Sequence, residues 1–123
     1  KFSKSWIKSK QPRKQRKYRY NAPLHVKQKF LHAHLSKELR KKYSKRSIAL
    51  RKGDSIKVMR GQFKNKTGKV DEASVKKTQV YVSGIEFVKR DGTKARYPLQ
   101  PSNLMITELN MDDKLRGKIL VRK

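Results

Sequence analysis

The stretch Lys52-Gly53-Asp54-Ser55-Ile56-Lys57-Val58-Met59-Arg60-Gly61-Gln62-Phe63-Lys64-Asn65-Lys66-Thr67-Gly68-Lys69-Val70 decides how this chain is read. Residues 55–60 alternate, so Ile56 and Val58 share one face of a strand. A polar loop, 62–67, follows Gly61, and residues 68–73 resume as a second strand. Gly61 and Gly68 bracket the loop and permit positive φ or the close approach of another backbone. Asn65 lies at the tip, where a left-handed conformation is tolerated. Lys64 and Lys66 flank it, so the loop turns lysines outward in a form suited to a phosphate backbone.

The pattern continues on both sides. Residues 79–83 read as a third strand and 104–109 as a last one. Residues 85–89 and 94–97 flank Arg90-Asp91-Gly92-Thr93, and Asp-Gly between two such runs signals a hairpin. Short strands spaced by about 10 residues, with turns between, predict a small barrel. Ile56, Val58, Val70, Val80, Val82, Ile85, Phe87, Val88, Leu104 and Ile106 are its expected core. Upstream, residues 37–43 read as a helix. Ser36 can cap it, Glu38 suits its first turn, and Arg40, Lys41 and Lys42 suit its last. Leu39 and Tyr43, four apart, share the face turned to the domain. Residues 111–123 allow a short helix with Asp112 and Asp113 at its positive end, although Gly117 opposes it.

Charge divides the chain. Of its 123 residues, 35 are Lys or Arg and 9 are Asp or Glu, a formal net charge of +26. The first 46 residues hold seventeen bases and one acid, Glu38, which is +16. Self-repulsion at that density opposes compaction, so the segment suits a polyanion. A nucleic acid fits, since phosphate neutralisation with counterion release drives such binding. Only 34% of residues are apolar and mean hydropathy is −0.99, so a large core over the full length is excluded. There is no cysteine, hence no disulfide and no Cys-type zinc site. No apolar run approaches the roughly 18 residues of a membrane span. Residues 1–20 carry no apolar core of a secretory signal and no apolar face of a transit helix.

Residues 1–35 are expected to form an extended arm with at most a short helical turn or two, because Pro12 and Pro23 interrupt any long helix. The basic residues there alternate with Phe2, Trp6, Tyr18, Tyr20 and Phe30. Unpaired RNA bases stack on such rings and on guanidinium planes. Trp6 reads equally as a stacking platform or a packing anchor. An arm this polar is expected to order on its partner. His25, His32 and His34 have no cysteine and no acid nearby in sequence, so they read as polar RNA contacts rather than metal ligands. The acids other than Glu38 are Asp54, Asp71, Glu72, Glu86, Asp91, Glu108, Asp112 and Asp113. They show no catalytic spacing, and no phosphate-loop glycine pattern is present. No enzyme activity, cofactor, metal or small-molecule substrate is expected.

The loop segment 52–70 resembles the KOW motif, a strand–loop–strand unit of SH3-like barrels in ribosomal proteins and transcription elongation factors. That family usually carries Lys-Gly at the tip, where this chain has Lys64-Asn65. Leu35-Ser36-Lys37-Glu38-Leu39-Arg40-Lys41-Lys42-Tyr43, leading into Ile48-Ala49-Leu50-Arg51-Lys52-Gly53-Asp54, is similar to the region before the KOW unit in one ribosomal family. Pro101-Ser102-Asn103-Leu104-Met105-Ile106-Thr107 is similar to its last barrel strand. That family is universal large-subunit ribosomal protein twenty-four, in its archaeal and eukaryotic branch (called twenty-six in eukaryotes). The similarity runs from about Arg13 to Leu109. It implies a cytoplasmic structural protein that binds large-subunit ribosomal RNA near its 5′ domain early in assembly. It also implies neighbouring ribosomal proteins as partners and a place near the polypeptide exit tunnel.

The expectation is therefore mainly β: a small SH3-like barrel over 47–109, a basic extended arm with one short helix over 1–46, and a C-terminal extension over 110–123. The expected RNA contacts are Lys10, Arg13, Lys14, Arg16, Lys17, Tyr18, Arg19 and Tyr20 in the arm. Arg40, Lys41, Lys42, Lys45 and Arg46 line the helix and its exit. Arg60, Gly61, Lys64, Asn65, Lys66 and Gly68 form the loop contact. Two alternatives remain: a KOW-type transcription-associated factor and a histone-like DNA-binding protein.

Overall fold

Burial alternates along residues 55–58, with Ile56 and Val58 wholly buried between half-exposed Ser55 and Lys57. The same alternation builds the rest of the sheet. A computed structural model describes residues 2–6 and 8–122. The chain runs α1 (Pro12–Asn21), α2 (Leu24–Lys27), a 3-10 turn (Gln28–Leu31), β1 (His32–Leu35), α3 (Lys37–Tyr43) and β2 (Ser47–Ala49). It continues through β3 (Ser55–Val58), β4 (Thr67–Ser74), β5 (Gln79–Val82), β6 (Glu86–Val88) and β7 (Lys94–Arg96). A second 3-10 turn (Pro101–Asn103), β8 (Leu104–Glu108) and α4 (Lys114–Val121) complete it.

Six strands form one sheet in the order β2-β1-β8-β3-β4-β5. Its pairs are antiparallel except β1 with β8. Ile56 lies opposite Gly68 on one side and Ile106 on the other. Leu99 exchanges both backbone hydrogen bonds with Val80 of β5, at 2.8 and 2.9 Å. The turn at Pro101–Asn103 then carries the chain to β8, which lies against β3. That return closes the curled sheet into a small SH3-like barrel. Its core includes Leu35, Ile56, Val58, Val70, Val80, Val82, Ile85, Leu104 and Ile106, joined by Leu120 from α4.

Several expectations change. The arm is not extended throughout: Pro12–Asn21 is helical, with Pro12 in the first turn. Proline at that position starts a helix rather than breaking it, because its missing N–H is one the helix leaves unpaired anyway. Ala22, which precedes Pro23, is extended and ends α1. Residues 32–35 also leave the arm, since β1 lies inside the sheet with Ala33 and Leu35 buried. Phe87 and Val88, expected in the core, are exposed on a hairpin in which β6 and β7 pair only with each other. With no further layer over that hairpin, its apolar side chains have little to be buried against.

Other expectations hold. The Ser36 hydroxyl accepts from Leu39 N–H, and α3 ends at left-handed Ser44. Leu39 and Tyr43 pack against the core. The β6–β7 loop is the three-residue kind, with Gly92 at φ +85° and its N–H donating to Lys89 at 3.0 Å. Asp113 caps α4 by accepting from Leu115 N–H.

Candidate nucleic-acid interface

Three segments present the expected basic residues. On α1, Arg13, Lys14, Arg16, Lys17 and Arg19 are exposed, as is Lys10 before it. The helix holds no acid in its first turn, and its positive end faces its own cations. A helix dipole repels cations there, so α1 needs outside support. That support is aromatic. Tyr18 stacks on Trp6 at 4.3 Å, meets Phe2 at 5.0 Å and takes the edge of Phe30 at 6.3 Å. Tyr18 is thus engaged within the protein, whereas Tyr20 is 83% exposed. Trp6 resolves as a packing anchor.

The second segment is the β3–β4 loop. Gly61 has φ +96° with open space around it, and Asn65 is left-handed at φ +69°. Asn65 N–H donates to Val58 at 2.8 Å and Lys66 N–H to Phe63 at 3.1 Å, which fixes the tip. Gly68 has a different reason to be glycine: a Cβ there would sit 2.7 Å from the Ser83 carbonyl oxygen. Phe63, read as part of a polar loop, is buried and packs on Tyr97 at 4.9 Å. It nails the loop to the barrel and leaves Lys64, Asn65 and Lys66 exposed, with the Lys66 ammonium 5.1 Å above its ring.

The third segment is α3 and its exit. Arg40 Nε donates to the Leu35 carbonyl at 2.9 Å, which holds the guanidinium over β1. Arg40, Arg46 and Arg60 converge on His34; burial first, then these three charges, hold its pKa below the usual 6.5. One basic cluster therefore draws on α3, its exit and the loop. Lys41, Lys42 and Arg46 are exposed, and Lys45 is half-buried. Met59 N–H donates to the Asn103 carbonyl at 2.8 Å, so the loop's root abuts the turn at Pro101–Asn103. The same turn lines a groove with Trp6 and Arg19. Among the described residues, no hydrogen bond or ion pair ties α1 to α3.

Among the described residues the ion pairs are Arg51–Asp113, Arg96–Glu72 and Arg116–Asp54, and none uses a cation of the expected interface. His32 and His34 share one face of β1, as residues two apart on a strand do, and burial lowers the pKa of His32 too. Among the described residues, no group of three or more His, Cys, Asp or Glu could hold a metal ion, and no helix is long and apolar enough to cross a membrane. Sequence reasoning missed the anchoring roles of Phe63, Asp54 and Arg116. Only Phe63 carried a signal, as the lone large apolar residue in a basic loop.

A family model described as ribosomal proteins L26 (eukaryotic) and L24P (archaeal) matches residues 9–123. The large ribosomal subunit protein uL24 of Methanothrix thermoacetophila is 52% identical over 114 residues, covering 93% of this chain and 98% of that one. The protein of the same name from Methanosarcina barkeri is 53% identical over 109 residues, covering 89% and 94%. That of Methanocorpusculum labreanum is 51% identical over 110 residues, covering 89% and 91%. The chain belongs to the family of eukaryotic L26 and archaeal L24P ribosomal proteins.

Proposed function

We propose that this protein is a structural, non-enzymatic constituent of the large ribosomal subunit that binds large-subunit ribosomal RNA. The observation that carries the reading is the separation of charge. Exposed cations on α1, α3 and the β3–β4 loop have no acidic partner among the described residues, while Asp54, Glu72 and Asp113 are matched elsewhere. Such a surface gains by displacing counterions from phosphates. The barrel supplies a rigid root: Asn65 and Phe63 fix the loop, and the aromatic cluster seats α1. The family resemblance adds a contact near the RNA's 5′ domain, a part in early assembly, neighbouring ribosomal proteins and a cytoplasmic site near the exit tunnel. Sedimentation of tagged protein through a sucrose gradient tests the class. Comigration with large subunits after a high-salt wash is expected; tagged protein left at the top of the gradient would sink the reading.

A further inference from the structure

The β6–β7 hairpin carries exposed cations beside exposed apolar side chains. Its strands pair only with each other, Glu86 opposite Arg96, Phe87 opposite Ala95 and Val88 opposite Lys94. Its tip is fixed: Lys89 N–H donates to the Thr93 carbonyl at 2.8 Å, and the Asp91 carboxylate accepts from Thr93 N–H and Oγ1 at 3.0 and 2.7 Å. Its root is fixed as well. Arg96 pairs with Glu72 at 3.0 Å and lies 4.5 Å over the Tyr81 ring. Tyr97 packs on Phe63, which holds the β3–β4 loop, and meets Phe87 at 6.2 Å. Phe63, Tyr97 and Phe87 thus form a line of rings from the loop that bears Lys64 and Lys66 to the hairpin. Phe87 is 43% exposed and Val88 66%. Lys89, Arg90 and Lys94 are exposed and take part in none of the ion pairs among the described residues.

We propose that this hairpin is a further RNA-binding element continuous with the β3–β4 loop, in which Lys89, Arg90 and Lys94 neutralise phosphates and Phe87 stacks on an unpaired base between them. The inference rests on the RNA reading and extends it to residues outside α1, α3 and the loop. Side chains alternate across a strand, so Lys89 stands on the same side of the hairpin as Phe87, and Lys94 lies across from Val88 on the other. A phosphate chain can therefore pass the apolar surface with a cation on either side. Tyr97 meets Phe87 at 90° rather than stacking on it, and among the described residues no cation lies over the Phe87 ring. An exposed ring flanked by cations is a platform for a base. Charge favours RNA over a protein in this place. Asp91 is turned onto its own loop, and Glu86 is the other acid between 86 and 96, against the cations Lys89, Arg90, Lys94 and Arg96. Residues 86–96 also fall short of the roughly 20–30 that each side of a stable protein interface supplies.

The probe is large-subunit ribosomal RNA, bound by the full chain over a range of salt. The triple variant Lys89→Gln, Arg90→Gln, Lys94→Gln should flatten the slope of log K against log salt by about 2–3 units, at about 0.7–0.9 for each lost phosphate contact. Its urea midpoint should match the unaltered chain, because the three side chains are exposed, so a flatter slope is not a loss of folding. Phe87→Leu keeps an apolar side chain but removes the ring. It should weaken binding by about 5- to 150-fold, the range of one lost base stack, and leave the slope unchanged. A flattened slope with full affinity for Phe87→Leu would overturn the stacking and support the phosphate contacts. An unchanged slope for the triple variant, with full affinity for Phe87→Leu, would overturn the hairpin as an RNA contact while leaving the RNA reading intact. Variants that bind RNA normally but lose a neighbouring protein from purified subunits would assign the hairpin to a protein and overturn the proposal. Failure of the unaltered chain to bind the RNA would overturn both readings.

Discussion

Arg116 on α4 grips Asp54, the residue before β3, through two hydrogen bonds of 2.6 Å, with both side chains buried. Asp54 also accepts from the N–H groups of Arg51 and Asn110, at 3.0 and 2.9 Å. Arg116 donates further to the carbonyls of Asn110 and Ala49, at 2.9 and 3.1 Å. One carboxylate and one guanidinium thus tie the C-terminal helix to the entry of the strand that leads into the β3–β4 loop. Removing one partner leaves a buried, uncompensated charge. Arg116→Ala should therefore lower unfolding free energy by about 3–5 kcal/mol, a large share of the roughly 5–15 typical of a domain. Arg116→Lys should recover only part, since an ammonium cannot form the two-pronged pair. Urea denaturation measures both. A loss for Arg116→Ala within the about 0–1 kcal/mol of an exposed pair would contradict the assignment.

The two loop glycines should respond differently to alanine. At Gly61 the added methyl meets open space, so only the positive φ resists, at about 1–2 kcal/mol. At Gly68 the methyl would lie 2.7 Å from the Ser83 carbonyl oxygen and 2.8 Å from Val82 Cγ1, which forces β4 away from its neighbour. Gly68→Ala should be the more damaging of the two by chemical denaturation. The reverse order would show that the loop's conformation, not the strand contact, limits stability.

His34 should make the protein's stability sensitive to pH. Burial, then Arg40, Arg46 and Arg60, hold its folded pKa below 6.5, and burial does the same for His32. The unfolded chain therefore takes up these protons at higher pH than the folded one. Stability should be full above 6.5, fall as pH drops through that value, and level off below the folded pKa. Phosphates placed against the three arginines would oppose their effect, so RNA binding should draw a proton onto His34. Thermal midpoints between about pH 8 and about pH 5.5 test the first point. His34→Gln should flatten the curve; an unchanged slope would show that His34 is not responsible.

Much of the barrel was readable because its signals are local. Alternation marked β3 and β5, Asp91-Gly92 marked the hairpin, and Ser36 with Glu38 marked α3. What escaped depends on distant partners. β1 is four residues long, and its place is set by parallel pairing with β8, some seventy positions away (His34 opposite Met105). Helix α1 has no favourable charge pattern and is held by Trp6, Phe2 and Phe30, which lie outside it. Phe87 and Val88 alternate like core residues, but their hairpin stands outside the six-stranded sheet. Arg116 reads as one more solvated cation in a basic tail until Asp54 is seen beside it. At the interface, residue types and exposure were readable. The convergence of Arg40, Arg46 and Arg60 on His34 was not, because it joins three separate segments.

The exposed cations of the arm and barrel are proposed to neutralise RNA phosphates. The salt dependence of affinity for large-subunit ribosomal RNA tests it most directly. If about eight phosphates are neutralised, log K should fall against log salt with a slope of about −6 to −7. Deleting residues 1–20, which removes most of α1 and its aromatic anchor, should flatten that slope by several units. A slope unchanged by the deletion would contradict the account.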